Sequence, residues 1–283
     1  MLLAAYNGMQ WIEEQVNSIL NQHGVKITLF ISVDLSTDRT DQWVQALTNK
    51  NSNVIMLPYG ERFGGAGPNF FRLIRDVDFS GFDAVSFADQ DDIWFPDKLQ
   101  NACALLRTGQ CDVYSSNVTA FWPDGKQLLI DKAQPQKKFD HFFEAAGPGC
   151  TYVFNATSAL AFKQFVVEAG EHIQEAPLHD RLAYAFCRHL GFEWFIDSRP
   201  SLLYRQHQSN QVGINKGLTA YLTRLAEVRD KRFRSDVEKS LGLLGYPEGF
   251  QLTRSFLIRN FVQLRRRRRD AYVFLVFNLM GWF

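Results

Sequence analysis

The stretch SFADQDDIWFPDKL, residues 86–99, places the carboxylates of Asp89, Asp91 and Asp92 directly behind an apolar run. Like charges this close repel one another, and each carboxylate is better solvated in water. A hard divalent cation such as Mg²⁺ or Mn²⁺ removes the repulsion, because these ions take carboxylate oxygens as ligands. The alternative is an acidic turn at the start of the next helix, where Asp92 and Asp97 would favour the helix N-terminus.

The position of this carboxylate cluster (Asp89, Asp91 and Asp92) in the fold decides between the two. Short β-rich runs alternate with segments of helical period over the first hundred residues, which is typical of an α/β fold with a mostly parallel sheet flanked by helices. Strands are predicted over residues 2–5, 26–33, 54–57, 84–88, 111–115, 192–196 and 202–206, with a hairpin over 121–129. The stretch GERFGGAGPNFFRLIRD, residues 60–76, predicts a glycine-rich loop that leads into a helix, and GPGCTYVFN, residues 147–155, predicts a glycine loop that leads into a further strand. The cluster therefore ends the fourth strand, where ligands bind in open α/β sheets, and a cation site is favoured.

The composition is that of a globular protein, with 46% hydrophobic residues over 283 positions. The four cysteines show no C-x-x-C spacing, which predicts reduced thiols in a cytoplasmic protein. The opening MLLAAYNG lacks the charged and apolar regions of a signal peptide, and no apolar run reaches the ~20 residues that a bilayer span needs. We therefore expect a cytoplasmic location.

The charge is divided unevenly along the chain. Residues 1–200 carry 16 Lys and Arg against 24 Asp and Glu, a net of −8, and residues 201–283 carry 15 against 6, a net of +9. Five arginines begin at Arg265, and an apolar stretch then runs to Phe283. This segment predicts peripheral contact with anionic lipid headgroups at the inner face of the cell membrane. The alternative is a terminal element packed on the body or on a second subunit. No nucleic-acid-binding module accompanies the arginines, so nucleic acid is not an expected partner.

Other polar residues stand where a site would need them. The chain has no G-x-x-x-x-G-K-[ST] loop and no complete G-x-G-x-x-G motif, which removes the usual support for ATP-driven or nicotinamide chemistry. A helix is predicted to open with His179 and Asp180, and Asp180 is a candidate general base. A carboxylate stabilised by the helix dipole is an equally good interpretation. Arg205 and His207 share one face of a strand and suit phosphate and metal contacts, although a lone histidine is more often structural.

These motifs together resemble family 2 glycosyltransferases, particularly the rhamnosyltransferase-like members that build bacterial surface polysaccharides. The stretches that carry the resemblance are LLAAYNGMQWIEEQVNSILNQ, ISVDLSTDRT, FADQDDIWFPDKL, GPGCTYVFN, LHDRLAYAF and LLYRQHQSNQVG, in this order over residues 2–213. The resemblance implies a Rossmann-like GT-A catalytic domain over residues 1–213 and a basic, helical C-terminal extension over residues 214–283. It also implies a nucleotide-sugar donor, Mg²⁺ or Mn²⁺, and inversion at the anomeric carbon.

The resemblance also assigns roles to single positions. It places Ala5, Tyr6, Asn7, Asp34, Asp89 and Arg205 against the nucleotide sugar. It assigns the metal to Asp89, Asp91 and His207, and it makes Asp180 the catalytic base.

The implied reaction moves a sugar, with rhamnose from dTDP-rhamnose as the candidate, to a glycan or polyprenyl-diphosphate-linked acceptor in cell-surface polysaccharide synthesis. Two alternatives stay open. A nucleotidyltransferase would use a related metal-binding sheet but favours a glycine-rich, basic N-terminal signature that LLAAYNG does not supply. A non-catalytic sugar-nucleotide-binding relative is supported by Val33, which stands where the family usually has the first of two acids.

Overall fold

The computed structural model describes residues 1–176, 178–207, 232–246 and 252–283. Its first half is a parallel unit in which strands follow the order β3-β2-β1-β4. The strands are β1 (Leu2–Ala5), β2 (Leu29–Val33), β3 (Val54–Met56) and β4 (Ala84–Ala88), and the helices between them are α1 (Ile12–Leu20), α2 (Thr40–Thr48) and α3 (Ala66–Asp76). β1 pairs in parallel with both β2 and β4. All four residues of β1 are buried, as expected for a parallel strand covered on both faces.

The second half continues the same sheet with mixed pairing. It contains β5 (Ile93–Trp94), α4 (Lys98–Arg107), β6 (Val113–Phe121), β7 (Gln127–Ile130), β8 (Val153–Asn155), α5 (Ala156–Ala169), α6 (His179–His189) and β9 (Trp194–Arg205). β8 is antiparallel to β4 and β6, whereas β9 runs parallel to β6. The predicted α/β class is confirmed. The two strands predicted at 192–196 and 202–206 are one strand, because irregular register beside Ser116 and Asn117 lets β9 stay paired with β6.

Alternate residues of β1 face two separate apolar clusters. Leu2 and Ala4 pack with α3, α5 and α6, while Leu3 and Ala5 pack with α1, α2 and α4. Each fully buried aliphatic or aromatic side chain contributes about 1.5–3 kcal/mol to folding. The sheet is therefore held between two helical layers, and its carboxyl-terminal edge is left for the polar residues that follow the strands.

The described part of the C-terminal extension is helical and packs on the body. Its helices are α7 (Arg232–Leu243), α8 (Arg254–Arg259), α9 (Phe261–Leu264) and α10 (Arg268–Met280). Phe274 and Phe283 are buried against Phe143, with ring centres 5.2 and 5.8 Å away. Packing on the body, the alternative to membrane contact, thus accounts for part of this segment. None of the described helices is long and apolar enough to cross a bilayer. The predicted boundary at residues 213 and 214 lies outside the described residues.

Candidate active site

The carboxylate cluster lies just beyond β4, beside a buried cysteine that sequence reasoning did not connect to it. Asp89, Asp92 and Cys150 each place a potential ligand atom within 4.8 Å of the others. Asp92 is completely buried, and its Oδ1 accepts a hydrogen bond from the backbone N–H of Arg205 at 3.3 Å. Among the described residues, nothing donates to Asp92 Oδ2. A buried carboxylate oxygen without a partner is costly, and a bound cation is one group that would satisfy it.

Burial and the crowding of the carboxylates raise the pKa values of Asp89 and Asp92. Burial, followed by the charges of Asp91 and Asp180, raises the pKa of Asp89 to about 7. Burial and the charges of Asp91 and Asp89 also raise the pKa of Asp92 well above its usual range. These shifts have the sign expected of carboxylates that repel one another in a partly dry site. Oxygen donors of this kind fit Mg²⁺ or Mn²⁺, whereas the Cys150 sulfur is a softer donor that suits neither ion.

Lys98 lies beneath the cluster but does not form an ion pair with it. Its Nζ is 3.4 Å from the ring centre of Trp94, and among the described residues it makes no hydrogen bond. Burial lowers the pKa of Lys98 to about 7, although the charges of Cys150 and Asp92 act in the opposite direction. Lys98 therefore acts on Asp92 and Cys150 through the charge of its ammonium group at a distance, without a hydrogen bond to either.

Asp91 and His207 meet on the outer side of the cluster. His207 Nε2 is 2.7 Å from Asp91 Oδ2, and the imidazole stacks on Trp11 with ring centres 4.0 Å apart. Arg205 donates from Nε to the Asp91 carbonyl at 2.8 Å and also bonds Glu14. The structure pairs two of the three predicted metal ligands, Asp91 and His207, with each other. The potential ligand atoms that it groups around Asp89, the third, belong to Asp92 and Cys150. The metal-binding roles of Asp89, Asp91 and His207 stay predictions.

The predicted nucleoside residues lie at the end of β1. Gln90 Oε1 accepts from the Tyr6 N–H at 2.8 Å, and Gln90 Nε2 donates to the Tyr6 carbonyl at 2.9 Å. Asn7 adopts a left-handed conformation with φ 46°, which asparagine tolerates, and its Oδ1 accepts from the Thr37 N–H at 2.8 Å. Ala5 is buried. The segment after β1 is thus held by residues that follow the neighbouring strands β2 and β4, and the Tyr6 side chain is left exposed.

Asp34 follows β2 and holds the glycine-rich loop. Its Oδ1 accepts from the N–H groups of Leu35 at 2.8 Å and Phe63 at 2.9 Å, and its Oδ2 accepts from Gly64 at 2.9 Å. The side chain is therefore already engaged in positioning the loop. Its predicted contact with the nucleobase stays a prediction.

Asp180 lies in the first turn of α6, and its charge acts on the carboxylate cluster. Its Oδ1 accepts from the Arg181 N–H at 2.7 Å, and the backbone of Gly149 lies close to the same side chain. Burial raises the pKa of Asp180, while the hydrogen bond and charge of Arg181, the Gly149 N–H and the charge of Lys132 act against the rise. The charge of Asp180 in turn helps raise the pKa of Asp89, so the two carboxylates lie in one site. A raised pKa makes a carboxylate a better general base.

Gly149 allows this close approach. A Cβ added there would lie 2.8 Å from His179 Nε2 and 3.0 Å from Asp180 Cβ. His179 itself is a core residue: its ring stacks on Phe70 at 3.9 Å, and burial lowers the pKa of His179 to about 3. Sequence reasoning placed Gly149 and Cys150 in a glycine loop. No local sequence signal connects Cys150 to Asp89 and Asp92, which lie about sixty positions earlier in the chain.

The family model for Glycosyl transferase family 2 matches residues 2–169. The dTDP-rhamnosyl transferase RfbG of Shigella flexneri is 43% identical over 290 aligned residues, which cover 99% of this chain and all of that protein.

Two solved structures share the fold. Residues 1–349 of S. aureus TarS with UDP-GlcNAc match at a TM-score of 0.57 and 14% identity, over 99% of this chain and 79% of that one. The Pyrobaculum calidifontis mannosyltransferase PcManGT with GDP-Man and Mn²⁺ matches at a TM-score of 0.51 and 13% identity, over 99% of this chain and 85% of that one. The expected GT-A fold is confirmed.

Proposed function

The chain belongs to glycosyl transferase family 2, and we propose that it is an inverting enzyme that transfers rhamnose from dTDP-rhamnose to a saccharide acceptor in cell-surface polysaccharide synthesis. The observation that supports the mechanism is that Gly149 and Cys150 lie between Asp180 on one side and Asp89 and Asp92 on the other, so that these acids share one site. The full-length similarity to a dTDP-rhamnosyl transferase supports the donor. The nucleotidyltransferase alternative is no longer supported, because the glycosyl transferase family 2 model matches residues 2–169, which include the carboxylate cluster.

The donor would lie across the carboxyl ends of β1, β2 and β4. The predicted ligands Asp89, Asp91 and His207, together with Asp92, would hold the divalent cation, which when bound neutralises charge on a diphosphate leaving group. The buried and unpartnered Asp92 Oδ2 fits this role. Tyr6 presents an exposed ring beside a backbone clamped by Gln90, which suits contact with a nucleobase.

Asp180 would act on the acceptor side. An acceptor hydroxyl gives its proton to the Asp180 carboxylate as its oxygen forms a bond to the anomeric carbon, and the bond from that carbon to the diphosphate breaks with its electron pair. Attack from the face opposite the leaving group inverts the configuration. One carboxylate is sufficient, because no covalent sugar intermediate forms. The Arg181 N–H keeps the carboxylate oriented, and the absence of a side chain at Gly149 leaves it room.

Two substitutions test this assignment. Asp180→Asn is expected to lower rhamnosyl transfer by about 10²–10⁴-fold, the usual contribution of a general base. Asp91→Asn is expected to abolish transfer as well, because Asp91 would help to hold the cation that neutralises the leaving group. Asp91→Asn should also weaken Mn²⁺-dependent dTDP binding, measured by calorimetry, whereas Asp180→Asn should leave it unchanged. Asp124→Asn, in the exposed turn between β6 and β7, is the control, because Asp124 also accepts a backbone N–H but lies outside the site.

Each outcome has a distinct meaning. Full transfer by Asp180→Asn would remove Asp180 as the base. Donor binding without transfer by the wild-type chain, with every acceptor tried, would favour the non-catalytic relative. A thermal-shift panel of nucleotide sugars with Mn²⁺ identifies the donor, since a ligand stabilises in proportion to the logarithm of its concentration over Kd. Stabilisation by another nucleotide sugar and not by dTDP-rhamnose would contradict the proposed sugar.

A further inference from the structure

We infer that the enzyme has a second anion site, a basic cavity between the body and the C-terminal extension, which binds the diphosphate of a lipid-linked acceptor. This inference rests on the proposed function and names its acceptor class. The cavity has a volume of about 270 Å³, which is large enough for a diphosphate group. Its charged lining residues are Lys132, Glu144, Arg265, Arg266, Arg267 and Asp270.

Two of these cations are left without a carboxylate partner. Arg265 and Arg266 pair with Glu144 at 3.6 and 3.4 Å, and Arg266 also pairs with Asp140. Asp270 pairs with Arg269, at 3.2 Å. Within the described ranges, Lys132 Nζ makes no hydrogen bond or ion pair, and Arg267 donates only to the Asp131 carbonyl.

The cavity is therefore electropositive after its internal pairs are formed. Burial, followed by the charge of Arg266, lowers the pKa of Lys132, which an anion in the cavity would reverse. The cavity also lies at the start of α10, a helix of 13 residues whose N-cap residue, Arg267, makes no capping hydrogen bond through its side chain. The dipole of such a helix favours negative charge at this end.

One short loop connects the cavity to Asp180. A Cβ added at Gly147 would lie 4.0 Å from Lys132 Cγ, and one added two residues later, at Gly149, would lie 3.0 Å from Asp180 Cβ. The charge of Lys132 also acts on Asp180. An acceptor with its hydroxyl at Asp180 can therefore reach the cavity with an anionic group on the same molecule, which requires a short saccharide between the two.

The surface beside the cavity favours a lipid-linked diphosphate. The outer face of α10 exposes five apolar side chains, which are Tyr272, Val273, Val276, Leu279 and Met280. Arg268 and Arg269 are exposed at the start of the same helix. A diphosphate seated at Arg267 would place an attached polyprenyl chain beside this apolar surface, whereas a free phosphate would make no use of it.

The test measures binding of geranyl diphosphate to the full chain by calorimetry in EDTA, so that the carboxylate cluster cannot hold the ligand through a metal. Lys132→Met and Arg267→Gln are each expected to raise Kd at least about tenfold, as for loss of a charge-assisted contact. Lys126→Met and Arg259→Gln are matched controls at exposed positions outside the cavity, and should change Kd less than about twofold. Binding of dTDP with Mn²⁺ should be unchanged in all four variants, which separates this test from that of the donor site.

Three results would overturn the inference. Unchanged Kd in Lys132→Met and Arg267→Gln would mean that the cavity does not hold the diphosphate. Equal affinity for inorganic pyrophosphate and geranyl diphosphate would mean that the lipid is not recognised. Weaker binding of both variants to phosphatidylglycerol vesicles, with geranyl diphosphate affinity unchanged, would assign the cavity to a membrane headgroup. Arg267 is exposed, so Arg267→Gln keeps the test decisive if Lys132→Met does not fold.

Discussion

The carboxylate cluster and the arginine run at residues 265–269 are both dense charge patterns in the sequence, but the fold treats them differently. Asp92 keeps a buried oxygen that no described residue satisfies, and crowding raises the pKa of Asp89 to about 7. Arg266 is also buried and its Nε makes no hydrogen bond among the described residues, yet its charge is paired with Asp140 at 3.1 Å and Glu144 at 3.4 Å, and the guanidinium bonds the Ala145 carbonyl at 2.6 Å. A buried charged group that no protein group pairs with indicates a bound ligand, whereas a buried charge paired with other side chains indicates a structural role.

Asp140 is the centre of the compensated region. Its fully buried carboxylate accepts hydrogen bonds from Tyr184 at 3.0 Å, Arg188 at 3.2 Å and Arg266 at 3.1 Å. Tyr184 and Arg188 belong to α6, the helix whose first turn contains the predicted base Asp180. The extension therefore holds α6 through this cluster, and only the outer part of the arginine run, at Arg267, is left for a ligand.

Removing the central carboxylate should have the largest effect. Asp140→Asn removes the carboxylate that Arg188 and the buried Arg266 share, and leaves Arg266 only its pair with Glu144 at 3.4 Å. Breaking a buried ion pair from one side costs about 3–5 kcal/mol. Urea unfolding of the full chain measures this loss. Asp270→Asn removes a partner of the exposed Arg269 and should cost no more than about 1 kcal/mol. Equal, small losses in the two variants would mean that the arginine run is not structural.

The sequence predicted what local pattern controls. Strands 2–5 and 84–88 and the start of α6 agree with the structure, because apolar period and helix-start signals act within a few residues. Contacts between distant residues were not predictable. Arg266 meets Asp140 across 126 positions, and a run of five arginines looks the same in sequence whether it binds an anion or docks a helix. The membrane prediction for this segment accordingly missed the part that packs on Phe143.

A second substitution moves the base without changing any charge. Gly149→Ala places a methyl group 3.0 Å from Asp180 Cβ and 2.8 Å from His179 Nε2, so α6 or the loop must shift. Rhamnosyl transfer should fall about 10²-fold, as for a displacement of about 1 Å, while Mn²⁺-dependent dTDP binding is kept. Gly242→Ala, in α7 with open space around it, should retain full transfer and gain up to about 1 kcal/mol of stability. Full transfer by Gly149→Ala would show that the approach of the loop to Asp180 is not required.

The smallest expected effect distinguishes the two regions by pH. Each contains one buried histidine: burial lowers the pKa of His179 to about 3 near the carboxylate cluster, and burial followed by the charge of Arg188 lowers the pKa of His141 to about 3 beside Asp140. The unfolded chain binds protons at these histidines below about pH 6.5, whereas the folded chain does not until about pH 3. Stability is therefore lost as pH falls through this window.

For one histidine the loss is about 1.4 kcal/mol on going from pH 7 to 5.5. His141→Phe puts an apolar ring beside Phe142 and removes one proton-binding group from the unfolded chain, so the free energy of unfolding should fall less steeply over this range. His172→Phe changes an exposed histidine and should leave the slope within about 0.5 kcal/mol of wild type. If His141→Phe keeps the wild-type slope, His141 is protonated in the folded protein. Asp140 would then face a third cation beside Arg188 and Arg266, and the balance of charge that separates this region from the carboxylate cluster would be different.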